Sequence, residues 1–259
     1  LNTIDMENVY YINLEHRTDR KKHVEKQLNN LRWSYQRFNA IKHSDGRIGC
    51  SLSHLNVLKI AKEKNLDYVI IIEDDICFTD FKKYNSMLTD FLRKDLDYDV
   101  LLLAGNLMVP WDKNENGKLL APNKLITNEI LQVYKAHTTT GYLVKKHYYD
   151  KLIENIEFGI KMLKKFPKQH GKYAIDSYWM NLQRQDTWYL LLPRLVTQLG
   201  DYSDIEKGYT NYHQIMLDHK YPTKKITIHL NGNLENQLFN FAVGYICLLY
   251  TSDAADEED

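Results

Sequence analysis

The chain has 259 residues, 44% of them hydrophobic, enough to bury the core of one large α/β domain or two small ones, and this excludes a chain that is disordered throughout. Thirty-four basic residues balance thirty-four acidic ones, which argues against a general nucleic-acid binder because such proteins carry a basic excess. No run of about 18 apolar residues occurs, so no membrane span is expected, and the cysteines Cys50, Cys77 and Cys247 form neither a CxxC pair nor an even-numbered framework, the usage of a reducing compartment.

Val9 to Leu14 (VYYINL) predicts a buried strand. Thr18 or Asp19 is suited to cap the following helix, since a short oxygen-bearing side chain accepts hydrogen bonds from free N–H groups. Val24, Leu28 and Leu31 then fall on one helical face. Tyr35 to Ile41 predicts a second strand, and Ser51 to Lys64 a helix with Leu52, Leu55, Leu58 and Ala61 on related faces. Tyr68 to Ile72 is continuously apolar, as in a strand covered on both sides. Phe81 to Arg93 predicts a helix striped by Phe81, Tyr84, Leu88 and Phe91, and Asp99 to Ala104 another buried strand. This alternation implies an α/β fold, a mostly parallel sheet flanked by helices. Beyond it, residues 110–122 read as a surface loop, Leu131 to Ala136 and Gly141 to Val144 as strands, and Lys146 to Lys165 as largely helical. Ile175 to Arg184 predicts a short helix, Trp188 to Leu192 a strand, and Asp201 to Thr223 irregular structure. At Lys225 to Leu230 a new strand begins and runs through a turn into a helix, the opening of a second domain. From Cys247 the pattern breaks, and CLLYTSDAADEED reads as a non-native tail.

The strongest local feature is IIIEDDI, where Glu73, Asp74 and Asp75 sit at the end of an apolar strand. Ligands of open α/β sheets bind at the carboxyl ends of strands. Adjacent carboxylates repel one another unless a cation relieves them, and Mg²⁺ or Mn²⁺ takes such oxygen ligands and bridges to phosphate. A solvated acidic turn gives the same residues. Asn13, Arg17 and Arg20, in the turn after the first strand, place basic side chains beside a helix N-terminus, a suitable anion site. In GRIGCSLSH, Gly49 permits a tight turn, Ser51 or Ser53 can cap the helix, and His54 can reach a ligand from its first turn; a capped helix with a half-buried histidine reads equally well. Asp176, in AIDSYW, is either a helix cap or a general base, and Tyr178 and Trp179 beside it are either core or a stacking surface for a sugar. Neither a GxGxxG loop nor a P-loop is present.

Taken in order from Tyr10 to Glu206, the segments YYINLEHRTDR, GRIGCSLSH, IIIEDDI, TTTGYLVKKHYYDKL, AIDSYW and PRLVTQLGDYSDIE resemble glycosyltransferase family 25, which contains bacterial lipooligosaccharide and collagen galactosyltransferases. The resemblance implies a GT-A-like, Rossmann-like fold, a UDP-sugar donor (often UDP-galactose) and usually an inverting transfer. The acceptor it implies is a glycan, lipid-linked or protein-linked. The family's metal motif falls on Glu73, Asp74 and Asp75, to hold Mn²⁺ or Mg²⁺. Asn13, Arg17 and Arg20 fall on the nucleotide-side motif, Gly49, Ser53 and His54 on a donor-site motif, and Asp176 on the acidic residue expected to act as base. Asp204 and Glu206 match a final motif with no assigned role. The connection between the second strand and Gly49 is shorter than in many family members. A cytoplasmic enzyme is expected, at most peripheral at a membrane near lipid-linked acceptors, with an upstream piece missing before Leu1. Residues 225–246, with NGNLENQLFNFA, resemble the start of family 11, the α-1,2-fucosyltransferases, with Glu235 where that pattern has glycine. The expected organisation is therefore a family 25-like domain over 1–221, a truncated second domain over 225–246 and a foreign tail over 247–259. A non-catalytic glycan-binding scaffold and a nucleotide-sugar hydrolase are the competing readings.

Overall fold

The computed structural model describes residues 6–107 and 123–217. Its first half alternates strand and helix as the apolar pattern implies: Val9–Asn13 (β1), Thr18–Leu31 (α1), Tyr35–Asn39 (β2), Gly46–Glu63 (α2), Tyr68–Glu73 (β3), Ile76–Phe78 (β4), Phe81–Arg93 (α3) and Val100–Leu102 (β5). Then come Asn123–Thr127 (β6), Ile130–Val133 (β7), Gly141–Lys145 (β8), Tyr149–Lys165 (α4) and three four-residue helices, His170–Tyr173 (α5), Ile175–Tyr178 (α6) and Met180–Gln183 (α7). Trp188–Leu191 (β9), Val196–Gln198 (β10), Asp201–Ser203 (β11), Gly208–Thr210 (β12) and His213–Leu217 (α8) complete the described residues.

Eight strands form one sheet in the order β2-β1-β3-β8-β5-β9-β7-β6. Strands β1, β2 and β3 pair in parallel, as do β5 and β9, whereas β8 runs against both its neighbours and β7 against β9 and β6. Six of the eight strands therefore share one direction, with β7 and β8 reversed. The sheet is mostly parallel by strand direction, as expected, with two antiparallel insertions.

The alternation of side chains along each strand divides the core between two faces. Val9 and Tyr11 of β1 and Ile70 and Ile72 of β3 pack with Val24, Leu28 and Leu31 of α1 and Tyr84, Leu88 and Phe91 of α3. Their neighbours Tyr10, Ile12, Val69 and Ile71 are equally buried, and α2, which lies against β1, β2 and β3, packs in turn on α4. Helices on both faces explain why Val9 to Ile12 of β1 and Val69 to Ile72 of β3 are apolar and buried at every position.

Several boundaries differ from the sequence reading. Helix α1 has Arg17 at its N-cap with no side-chain cap, so neither Thr18 nor Asp19 caps it. Helix α2 begins at Gly46, capped by Asp45, five residues earlier than the apolar spacing suggested. The segment after Asp201 is not irregular: Asp201, Tyr202 and Ser203 pair with Thr210, Tyr209 and Gly208 as a hairpin. Strands β4 and β10, which pair with each other, are three residues each, too short for periodicity to reveal. The loop expected over 110–122, the second-domain opening over 225–246 and the tail over 247–259 lie outside the described residues. Among the described residues, no helix is long and apolar enough to cross a membrane.

Candidate active site

The chain leaves β1 to form β2 on one side and returns to form β3 on the other, so β1 and β3 meet at a topological switch point, where open α/β sheets bind ligands. Ile12 lies opposite Glu73, so the acidic turn and the β1–α1 turn open side by side at the carboxyl edge. A cavity of about 710 Å³ lies there, lined by Arg17, Arg20, Gly49, Ser53, His54, Glu73, Asp74 and Asp75 among others, a size suited to a small-molecule substrate.

The three carboxylates of the turn face different partners. Asp74 accepts a 2.7 Å hydrogen bond from the Asn13 amide and lies 3.2 Å from Arg20. Burial pushes its carboxyl up despite both partners. Asp75 lies 3.4 Å from Arg20, and its Oδ1 is buried with no hydrogen-bond partner. Burial first, then the neighbouring charge of Glu73, pushes the Asp75 carboxyl up to about 8. An orphaned carboxylate oxygen beside a second carboxylate fits a hard divalent cation, which would satisfy the oxygen and favour ionisation of both groups. Asp74 and Asp75 are thus the residues that fit Mn²⁺ or Mg²⁺.

Glu73 turns to the other side. Its Oε1 receives Thr139 Oγ1 at 2.7 Å, His54 Nε2 at 3.2 Å and Cys50 Sγ at 3.6 Å. Burial acts to raise this carboxyl, but the His54, Thr139 and Cys50 donors outweigh it and hold the group below its ordinary value. His54 is fully buried, and its Nδ1 meets the Tyr142 hydroxyl at 2.9 Å. The ligand atoms of Cys50, His54 and Glu73 all lie within 4.8 Å of one another, a second group able to hold a metal ion.

The GRIGCSLSH segment works as helix, not as turn. Ser51 and Ser53 return their hydroxyls to the carbonyls of Arg47 and Gly49, each at 2.8 Å, instead of capping α2. Ser53 Oγ also accepts the Ile41 N–H at 2.8 Å and so ties the end of the β2 connection to the helix. Gly49 serves close approach: a β-carbon there would stand 2.6 Å from the Ile41 carbonyl oxygen. His54 lies beyond the first turn of the helix, at the floor of the cavity.

Arg17 and Arg20 face the cavity but carry carboxylate partners. Arg17 binds Asp19 at 2.9 Å, Asp201 at 2.6 Å and Asp204 at 3.0 Å. Arg20 reaches Asp74, Asp75 and, at 3.3 Å, Asp201. Arg47 pairs with Glu206 at 2.9 Å. The β11–β12 hairpin is therefore fastened over the arginines by its acidic residues. Sequence reasoning left Asp204 and Glu206 without a role and did not single out Asp201; the alternation of DYS and GYT about a four-residue turn was the available signal. Asn13 is buried, held by Arg37 at 3.1 Å, and orients Asp74.

Asp176 lies in the first turn of α6, whose N-cap is Ala174, so it is not the helix cap, and it stands outside the lining of the cavity. Its Oδ2 accepts the Thr138 N–H at 3.1 Å and lies 3.7 Å from His137 Nδ1. Burial acts to raise its carboxyl, but His137 and the backbone donors prevail and lower it. Thr138 has φ of 81°, a strained setting for a β-branched residue, and the next residue, Thr139, delivers its hydroxyl to Glu73. Trp179 is fully buried against Tyr142 and Trp188, so it is core and cannot stack on a sugar. Tyr178 stacks on the exposed Phe158.

Comparison with known proteins bears on the family. Procollagen galactosyltransferase 1-A of Xenopus laevis is 26% identical over 71% of this chain and 34% of its own length. Procollagen galactosyltransferase 1-B of the same organism is 25% identical over 80% of this chain and 38% of its own. Human procollagen galactosyltransferase 2 is 28% identical over 51% of this chain and 21% of its own. The chain thus spans about a third of the length of the first two relatives. The family model described as glycosyltransferase family 25 (LPS biosynthesis protein) matches residues 6–45 and 42–164, more than half of the sequence. With an acidic turn and two arginines facing one cavity at the sheet's switch point, and with most of its folded core inside that match, the chain belongs to glycosyltransferase family 25.

Proposed function

We propose that this chain carries a metal-dependent glycosyltransferase domain that moves a hexose, galactose in the first instance, from a UDP-sugar to a hydroxyl of a glycan, lipid-linked or protein-linked acceptor, with inversion. The observation that carries the reading is the buried, unpartnered Asp75 Oδ1 beside Asp74 in a cavity that also presents Arg17 and Arg20. In this reading Asp74 and Asp75 hold Mn²⁺ or Mg²⁺, with Asn13 fixing the rotamer of Asp74. A cation held there would supply charge neutralisation to a departing diphosphate. Arg17 and Arg20 bind the same diphosphate, taking it in exchange for the carboxylates of Asp201 and Asp204. Gly49 and Ser53 hold the donor-side wall at the start of α2. Asp176, kept ionised by His137 and the Thr138 amide but outside the lining of the cavity, is assigned on the resemblance alone as the base that takes the acceptor hydroxyl proton. The galactosyltransferase names of the relatives support the choice of sugar.

A non-catalytic scaffold is the second reading, favoured by one observation: the arginines are already engaged by the hairpin carboxylates. Calorimetric titration of UDP into the 259-residue chain, with and without Mn²⁺, separates the two. Binding that requires Mn²⁺, and is lost in a folded Asp75→Asn variant, supports the enzyme; turnover of UDP-hexoses against an acceptor panel follows. No UDP binding by the folded chain in either condition removes the donor-site assignment.

A further inference from the structure

The hydrogen bonding around Glu73 is crowded in a way that points to a second ligand. Three donors, from Cys50, His54 and Thr139, converge on the single oxygen Oε1, although a carboxylate oxygen offers about two lone-pair directions. The longest of the three, the thiol contact at 3.6 Å, is the weakest as a hydrogen bond.

Two of the ligand–ligand distances are close to those of a tetrahedral cation site. Zinc bonds of about 2.3 Å to sulfur, about 2.05 Å to nitrogen and about 2.1 Å to oxygen, at tetrahedral angles, separate S from O by about 3.6 Å and N from O by about 3.4 Å. The structure has 3.6 Å between Cys50 Sγ and Glu73 Oε1 and 3.2 Å between His54 Nε2 and the same oxygen. Cys50 and His54, four residues apart on α2, present their ligand atoms on one helical face. His54 Nδ1 is engaged by the Tyr142 hydroxyl, the outer contact that orients a metal-binding imidazole and directs its other nitrogen at the ion. All three residues also line the cavity.

We infer that Cys50, His54 and Glu73 form a site for a borderline divalent transition-metal ion such as Zn²⁺, separate from the hard-cation site at Asp74 and Asp75. The sulfur–nitrogen–oxygen donor set selects against Mg²⁺ and Mn²⁺, which prefer all-oxygen ligands. On binding, the Cys50 thiol releases its proton to solvent and the thiolate bonds the ion; the His54 ring changes tautomer, its proton moving from Nε2 to Nδ1, which then donates to the Tyr142 hydroxyl, while Thr139 keeps its hydrogen bond to Glu73.

The test needs no sugar substrate and does not depend on the proposed activity. The full chain is equilibrated with Zn²⁺ or Co²⁺ alone, desalted and assayed for metal content, and the cobalt form is scanned for a sulfur-to-cobalt charge-transfer absorption. One equivalent of metal with that absorption is expected, and both are retained in Cys77→Ser and in Asp74→Asn/Asp75→Asn. Cys50→Ser, which keeps the side-chain volume, loses the absorption and at least about tenfold in affinity; Tyr142→Phe weakens binding about 10–100-fold with the absorption intact. In the unsubstituted protein, Zn²⁺ slows alkylation of Cys50 as read by mass spectrometry, a check independent of any variant's folding. Failure of the folded chain to retain metal, an absorption that survives Cys50→Ser, or alkylation unaffected by Zn²⁺ overturns the assignment.

Discussion

Replacing Gly49 by alanine pits two physical effects against each other at the wall of the cavity. Gly49 lies inside α2, where helix propensity alone favours alanine over glycine by about 0.5–1 kcal/mol. Against this, the new methyl would stand 2.6 Å from the Ile41 carbonyl oxygen, closer than the 3.0 Å that real β-carbon contacts respect. The backbone at Ile41 is not free to retreat. Its N–H is held by Ser53 Oγ, which itself donates to Gly49 O, each at 2.8 Å, so strand connection and helix form one closed loop of contacts. Overpacking of this kind costs about 1–3 kcal/mol, which exceeds the propensity gain. The net expectation is a loss of up to about 2.5 kcal/mol, or up to about 10 °C in Tm for a domain of this size. Urea unfolding followed by circular dichroism measures it, as a lower midpoint with the slope unchanged. A midpoint that stays level or rises would mean that propensity governs this position and that the close approach of Ile41 is not a constraint.

Two further outcomes are expected. In Asp201→Asn/Asp204→Asn, the hairpin loses the charges that engage Arg17, and UDP binding in Mn²⁺ tightens; partly exposed pairs are worth about 0.2–1 kcal/mol each, giving about two- to thirtyfold by calorimetry. Unchanged or weaker binding would count against competition between hairpin and diphosphate for the arginines. Asp176 has its carboxyl held below the ordinary aspartate value in the folded state, so the stability it contributes is present above the unfolded-state value and is lost as pH falls through the folded one. The destabilisation caused by Asp176→Asn is therefore largest near neutral pH and shrinks toward about pH 3; equal losses at both would show that charge at this site does not contribute.

The βαβ rhythm and the apolar faces of α1 and α3 were legible because buried strands and amphipathic helices repeat over many residues. So was the acidic turn after β3, since ligands gather at strand carboxyl ends. Capping was harder to read. Asp45 caps α2, while Ser51 and Ser53 use their hydroxyls on backbone carbonyls within the helix, and the choice among three suitable residues depends on where the β2 connection arrives. Likewise, GRIGCSLSH contains a glycine that suits a turn, but only the position of Ile41 reveals that Gly49 is needed for close approach.

By itself, then, the sequence determined the alternation of elements, the two-sided burial of β1 and β3, and the presence of carboxylates and arginines at one edge of the sheet. Only the tertiary structure decided how those groups divide. Asp74 and Asp75 turn toward Arg20, Glu73 turns toward Cys50, His54 and Thr139, and Asp201, 184 residues beyond Arg17, closes on both arginines. Adjacent carboxylates carry the same chemistry in the sequence. Their roles separate because burial and a few ångströms of distance set which cation or donor each one meets, and those distances come from chain segments far apart in the sequence.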